Sequence, residues 1–424
     1  MRWRNGIGQV STPGMALIDL FFARAVKRGE LTVIYPGGKT KKFGTPDPEL
    51  GAVTIRFADK GVAGAIVRDP SLGSSEAFMD GRLIIEQGDI MALLNLVSAN
   101  NPWEDGRVVL RPGAISQARA NIVRRLDRIN WERRSKRNVA HHYDLSDRLY
   151  DLFLDADRQY SCAYYTDPAN SLEQAQSDKK AHIAAKLALE PGMRVLDIGC
   201  GWGGMALYLN AKTGARVHGI TLSEEQLKVA QRRASEAGVA DQVTFELIDY
   251  RAVAGPFDRI VSVGMFEHVG PPHYRTFFNK CRELLTPDGV MLLHTIGRLD
   301  GPGVTDHFTA KYIFPGGYIP ALSEIVRANE DNRMFTTDIE VLRLHYAHTL
   351  QAWYDRVAAA KDQIIALYDE RFLRMWQYYL AGSCVSFRHG RIVNYQLQYS
   401  RSRTALPLTR DYMIEAEQRY RAGN

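Results

Sequence analysis

Val195-Leu-Asp-Ile-Gly-Cys-Gly-Trp-Gly-Gly204 reads as a buried strand that turns through glycines into a helix starting near Met205. Gly199, Gly201, Gly203 and Gly204 leave out Cβ atoms where backbone must bend sharply or approach a ligand, and Asp197 places a carboxylate at the strand's end. That is the form of a nucleotide-type cofactor site, and two ligands compete for it. Gly199, Gly201 and Gly204 satisfy G-x-G-x-x-G, but a dinucleotide site wants an acid about 20 residues on, where Ile220 and Thr221 stand. An acid two residues before the first glycine instead suits S-adenosylmethionine, whose charged amino group it can bind.

The flanking sequence supplies the rest of such a fold. Strand-like runs at 195–198, 217–220, 243–248, 259–263 and 290–295 alternate with helical patterns. This is the rhythm of a doubly wound, mostly parallel α/β sheet, a Rossmann-like methyltransferase fold with ligands at the carboxyl ends of the strands. After Gly297 the pattern changes to a loop and then long aromatic-rich helices, about 337–361 and 363–381, an appendage placed to roof the ligand edge and cover a substrate. Upstream, a helical pattern at 15–27 and strand-like 31–35 and 53–57 indicate a small α+β domain. The expected division is a small α+β N-terminal domain at 1–110, a basic connector helix at 111–140 and a catalytic domain at 141–424.

Composition narrows the setting. With 424 residues, 45% hydrophobic and 24% charged, the chain can bury a sizeable core, and no apolar run of about 18 residues could span a bilayer. No secretory leader follows Met1, so the cytoplasm is the expected compartment. Cys162, Cys200, Cys281 and Cys384 are scattered without a Cys-x-x-Cys pair, which suggests neither a metal site nor a disulfide framework. The net charge of +6 favours an anionic partner. Between Arg119 and Arg137, Arg124, Arg125, Arg128, Arg133, Arg134 and Lys136 interleave with Ile122, Val123, Leu126, Ile129 and Trp131. That spacing suits a helix docking on a membrane surface and equally a solvated connector.

Polar candidates for the cofactor follow from position. The second strand ends in His218-Gly-Ile-Thr-Leu-Ser223 without an acid, leaving Thr221 and Gln226 to meet the ribose, although Thr221 or Ser223 could simply cap the next helix. Ile248-Asp-Tyr-Arg251 follows the third strand, where such folds read the adenine, so Asp249, with Tyr250 beside it, is the candidate acceptor for the exocyclic amine.

Five motifs then occur in order: Tyr160-Ser-Cys-Ala-Tyr164, the glycine stretch, Gly219-Ile-Thr-Leu-Ser223, Val261-Ser-Val-Gly-Met-Phe-Glu-His-Val-Gly270 and Leu292-Leu-His-Thr-Ile-Gly297. From about His142-Tyr-Asp-Leu145 to Tyr399-Ser-Arg401 the chain resembles the cyclopropane-fatty-acyl-phospholipid synthases, with the mycolic acid cyclopropane synthases among its likenesses. The resemblance implies methyl transfer from S-adenosylmethionine to a cis double bond of a phospholipid acyl chain, giving a cation that loses a proton and closes a ring. It implies that Tyr160 and Ser161 join the cofactor site. It further implies a bound bicarbonate as the base, held by Cys162, Glu267, His294 and Tyr346 with backbone at Ile296. An alkene is a poor nucleophile, so the site must align the reactants and exclude water. Ring faces can stabilise the cation, with Tyr164, Tyr165, Tyr346, Trp353 and Tyr354 as candidates, and ordinary core packing is the competing role for Trp353 and Tyr354. His268 and Cys200 are read as structural, and Tyr165 stands where Trp or Phe is as common in the family.

Three alternatives remain. A lipid C-methyltransferase could use the same site and end in a methyl-branched or methylene-bearing chain. A membrane-surface protein without turnover would be favoured by loss of Asp197, Glu267 or His294, and none is lost. A nucleic-acid methyltransferase would fit the charge, but no Asn/Asp-Pro-Pro-Tyr target-base motif is found. The expected partners are therefore unsaturated phospholipids at the inner face of the cytoplasmic membrane, with no nucleic acid, and the reading leaves room for a homodimer.

Overall fold

The computed structural model describes residues 13–106 and 146–422. The connector 111–140 and the His142-Tyr-Asp-Leu145 motif lie outside the described residues. The chain forms two compact units, one of 13–106 with Asp306–Phe308 and Lys361–Gly390, the other of the remaining described residues.

In the first unit, β1 (Gly29–Ile34), β2 (Thr40–Thr45), β3 (Ala52–Phe57) and β4 (Leu83–Gln87) make a sheet in the order β2-β1-β3-β4. Period-two burial of Leu31, Val33, Ile55 and Phe57 gives it one apolar face. Phe22 of the helix Pro13–Ala25 closes that face, its ring 5.6 Å from Phe43 and 6.5 Å from Phe57. The helical expectation at 15–27 and the strands at 31–35 and 53–57 are met to within two residues.

The stretch expected as a helix at 363–381 is two helices, Lys361–Leu367 and Glu370–Arg388, separated where Asp369 accepts from Phe372 N and caps the second. The second packs on the helices Ile90–Ala99 and Pro70–Met79 and the first packs on the second, so both fall in the first unit and not with the catalytic part expected at 141–424. Their apolar face, Leu373, Trp376, Leu380, Ala381 and Cys384, finds its burial there, and Arg374 donates to the Met79 carbonyl at 3.1 Å. A partner some 290 residues earlier leaves no local signal.

The second unit is built on a seven-stranded sheet, order β10-β11-β9-β8-β5-β6-β7. Its parallel part is β5 (Arg194–Ile198), β6 (Arg216–Thr221), β7 (Val243–Leu247), β8 (Phe257–Val263) and β9 (Leu285–Arg298). β10 (Phe335–Leu342) and β11 (Ile392–Ser400) add antiparallel strands beyond β9. The expected helix at 337–361 therefore begins later, at His345–Ala359. Its first residues pair with β11 instead, a partner about 55 residues away that local periodicity does not register. Leu196, Ile260, Val261, Leu292 and Leu293 are fully buried, as strands covered on both faces require. The chain enters at β5, winds outward to β7 and crosses back to β8, so the order reverses between β5 and β8 and opens a crevice at their carboxyl ends.

One buried polar cluster ties the last helix, Asp411–Ala422, to the helix Leu172–Lys186. Both ring nitrogens of His182 face carboxylates, Glu340 and Glu417, at 2.7 Å each, so the ring is an imidazolium. Lys186 pairs with Glu340 and lies 3.6 Å from Asp338. Although burial raises it, Glu340 is held down to about 2 by His182 and Lys186. Replacing Glu340 with Ala leaves two buried cations short of a partner and should cost about 3 kcal/mol in urea unfolding, whereas a change inside about 0.5 kcal/mol would show the cluster to be incidental.

Candidate active site

β5 ends at Asp197-Ile198 and the chain then reverses through Gly199, whose φ is +85°. A Cβ there would lie 2.9 Å from Met265 Cβ, so both conformation and space demand glycine. Gly203 caps the helix Gly204–Thr213, and a Cβ on Gly204 would fall within 2.4–2.7 Å of Gln159 and Asp157. The loop 155–161 is thus seated against the start of this helix. Its seat is ionic: Asp157 is bonded by Lys180 at 2.5 Å and by Arg233, while Arg233 also donates to the Trp202 carbonyl at 2.9 Å. Gln176 donates to the carbonyls of Gln159 and Ser161 at 3.1 and 3.0 Å.

Between this loop and the carboxyl ends of the strands lies a pocket of about 1280 Å³, its open mouth included. Nine of the ten cofactor candidates line it: Tyr160, Ser161, Asp197, Gly199, Gly201, Thr221, Gln226, Asp249 and Tyr250. The tenth, Gly203, sits behind the wall as the helix cap. Asp197 is 2% exposed, its Oδ2 has no hydrogen-bond partner, and burial pushes its carboxyl up to about 7. Thr221 donates to Gln226 Oε1 at 3.0 Å, and the capping role falls to Ser223, which accepts from Gln226 N. Asp249 is gripped by Arg251 through Nε at 2.8 Å and Nη2 at 2.6 Å. Arg251 also lines the pocket, so any adenine amine would share this carboxylate with it.

Sequence reasoning passed over Arg251, Arg158 and Gln159 on the pocket wall, and Lys179 behind it. Lys179 is fully buried in the helix Leu172–Lys186, where its charge reads from sequence as a solvated face. Cys200 and His268, taken as structural, both line the pocket. Burial pushes the Cys200 thiol well up and the His268 imidazole down to about 4, so neither is charged near neutrality.

The five residues assigned to proton removal are partly assembled. Glu267 stands in the short turn Phe266–His268 after β8, among pocket residues Met265, His268 and Val269. Its Oε1 accepts from Ile296 N at 2.6 Å, its Oε2 is buried without a partner, and burial pushes the carboxyl up to about 7. His294 on β9 lies between Asn394 Nδ2 at 2.9 Å and Gln396 Nε2 at 3.1 Å, and burial holds it neutral. A neutral ring has one donor and one acceptor, so one of these amides must turn its oxygen inward, and the partnerless Gln396 Oε1 fits that need. Cys162 is buried, its thiol pushed up by burial and directed to the Ala163 carbonyl at 3.3 Å. Tyr346 packs edge-on against Trp353, centroids 5.9 Å apart, and Trp353 stacks on Tyr160 at 5.2 Å. These three rings run together from the pocket wall. Tyr164 is instead enclosed between His182 and His345 at 4.0 and 4.8 Å, Tyr165 lies beside His348, and Tyr354 is buried on the helix His345–Ala359.

Comparison with known proteins bears on this geometry. The family model for mycolic acid cyclopropane synthetase matches residues 131–397. A cyclopropane-fatty-acyl-phospholipid synthase of Escherichia coli is 39% identical over 79% of this chain and 85% of its own length. A probable fatty acid methyltransferase of Pseudomonas putida is 41% identical over 65% of this chain and 73% of its own. A solved mycolic acid cyclopropane synthase complexed with SAH and CTAB is 36% identical, covering 62% of this chain and 98% of its own with a TM-score of 0.60. The Rossmann-like fold, the aspartate-ended glycine turn and these likenesses agree on an S-adenosylmethionine-dependent methyltransferase, and the chain belongs to the mycolic acid cyclopropane synthetase family.

Proposed function

We propose that the enzyme methylates the cis double bond of an unsaturated phospholipid acyl chain and that the product is a cyclopropane. The methyl donor, when bound, supplies an electrophilic methyl on a sulfonium sulfur. Asp197 Oδ2 would accept from its ammonium, Thr221 and Gln226 would meet its ribose, and the Asp249–Arg251 pair would border its adenine. The π electrons of the alkene form the new C–C bond as the S–CH3 bond breaks, leaving a carbocation. A proton then departs from the added methyl, and the electron pair left behind closes the ring. Tyr160, which lines the pocket, offers a ring that stabilises positive charge without capturing it, with Trp353 and then Tyr346 packed behind it.

Glu267 carries this reading. A carboxylate with one oxygen fixed by the Ile296 amide and the other buried without a partner, in the turn that builds the pocket wall, is suited to be the final proton acceptor. The bicarbonate implied by resemblance fits less well. The Ile296 N–H is spent on Glu267 and both His294 nitrogens face amides, so two of the donors that would hold the anion are engaged.

A base with a carboxyl raised to about 7 works in its deprotonated form, so the rate should climb as pH rises through 7 and level above it. Glu267→Gln should lower kcat by about 100-fold or more while leaving cofactor affinity near that of the parent. A flat pH profile, or a variant that keeps full activity, would remove Glu267 from this role.

The product is read by gas chromatography with mass spectrometry after expression in a host lacking such enzymes and feeding labelled methyl donor. The expected product carries one added CH2, resists mild hydrogenation and elutes as a ring. A methyl-branched chain, or one retaining a double bond, would favour the second reading, a lipid C-methyltransferase, which the likeness to the Pseudomonas putida protein supports.

We place the reaction at a lipid surface, the inner face of the cytoplasmic membrane. No described helix is long and apolar enough to cross a membrane, and the support is the net charge of +6 with the basic run between Arg119 and Arg137, outside the described residues. Vesicle binding should weaken in high salt and on changing Arg124, Arg125 and Arg128 to Glu, and unaltered binding would contradict docking through that run.

A further inference from the structure

Two opposite charges lie buried beside the cofactor pocket, near enough for Lys179 to favour the Asp197 carboxylate but without an ion pair between them. Lys179, 0% exposed, makes hydrogen bonds to two neutral groups, Gln159 Oε1 and Ser161 Oγ, each at 2.8 Å. Asp197, 2% exposed, has its Oδ2 without a donor. Among the described residues neither forms an ion pair. The carboxylates nearest Lys179 are engaged elsewhere, Asp155 by the backbone N–H groups of Asp157 and Gln159, and Asp157 by Lys180 and Arg233. Burial pushes Lys179 down to about 7 and Asp197 up to about 7, the response of ions whose compensation is incomplete.

Such an arrangement is costly unless a ligand brings the missing charges. An ammonium has three donors and no acceptor, so a Lys179–Ser161 bond must enter the lone pair of the hydroxyl. The Ser161 proton is then left to be donated elsewhere, and Ser161 lines the pocket. The same wall holds Asp197, an acceptor without a donor. An α-amino acid carries a carboxylate and an ammonium on one carbon, which is the complement of this pair.

We infer that Lys179 is a positioning residue for the amino-acid end of the methyl donor: held between Gln159 and Ser161, it aligns the Ser161 hydroxyl to donate to the ligand's carboxylate while Asp197 accepts from its ammonium. Lys179 acts through Ser161 and Gln159 and touches no reacting atom. The inference rests on S-adenosylmethionine occupying this pocket.

The test separates the amino-acid end from the nucleoside end. Calorimetric titration of the full chain with S-adenosylhomocysteine and with 5′-methylthioadenosine, which lacks the amino-acid group, compares the parent with Lys179→Met and Ser161→Ala. Loss of a charge-assisted hydrogen bond should weaken S-adenosylhomocysteine about tenfold or more in both variants. Affinity for 5′-methylthioadenosine should stay within about twofold. Equal weakening of both ligands would reduce Lys179 to a structural support, and unchanged affinity for S-adenosylhomocysteine would overturn the inference outright. Should Lys179→Met not fold, Ser161→Ala decides alone, since it keeps the buried ammonium. Failure of the parent to bind either nucleoside would bring down the reading of the pocket itself.

Discussion

A buried carboxylate whose Oδ2 has no donor, Asp197 at the end of β5, is the constraint on which this molecule is arranged. Burying an ion uncompensated costs several kcal/mol, so the surrounding structure must hold it there by other means. It does so with the central strand of a parallel sheet, apolar on both faces, and with a glycine turn whose conformation and close approach to Met265 exclude a side chain. The loop 155–161 closes the opposite wall and is itself fastened by Lys179, Lys180, Gln176 and Arg233. Stability is thus spent at the crevice where the strand order reverses.

Three buried groups, Asp197, Lys179 and Glu267, are pushed to about 7, and they divide by task. Asp197 lines the pocket and Lys179 lies behind it, the two groups proposed to serve the donor. Glu267, proposed as the proton acceptor, stands in the turn beside Met265, His268 and Val269 of the pocket wall. Around them, Cys200, His268 and His294 are kept uncharged by burial. Under the proposed reaction, a cation formed there would meet rings and neutral groups in place of water, with Glu267 as the carboxylate proposed to take its proton.

How much of this the sequence disclosed follows from the range of each interaction. The glycine turn and the alternating strands are local, the parallel sheet forms as they imply, and nine of the ten cofactor candidates line one pocket. β10 was legible only as helix, because its pairing with β11 spans the whole of three intervening helices. The helices 361–388 were assigned to the wrong unit because their partners lie near the other end of the chain. Lys179 left no signal, since a lysine in a run of Asp, Lys and Lys is usually solvated, and only the tertiary fold buries it beneath Ser161. The aromatic candidates divided for the same reason: Tyr346 and Trp353 continue from Tyr160, whereas Tyr164 is used in a stack with two histidines. Of the five residues assigned to proton removal, Glu267 and Ile296 are joined by a hydrogen bond that β9 and the turn after β8 create by lying side by side.

The most direct measurement of the central claim is a crystal structure of the enzyme with S-adenosylhomocysteine bound. The account predicts the ligand's amino nitrogen within hydrogen-bond distance of Asp197 Oδ2, with its sulfur directed to the side of the pocket built by the Met265–Val269 turn. A nucleoside lodged elsewhere, or one in this pocket whose amino-acid end points away from Asp197, would contradict it.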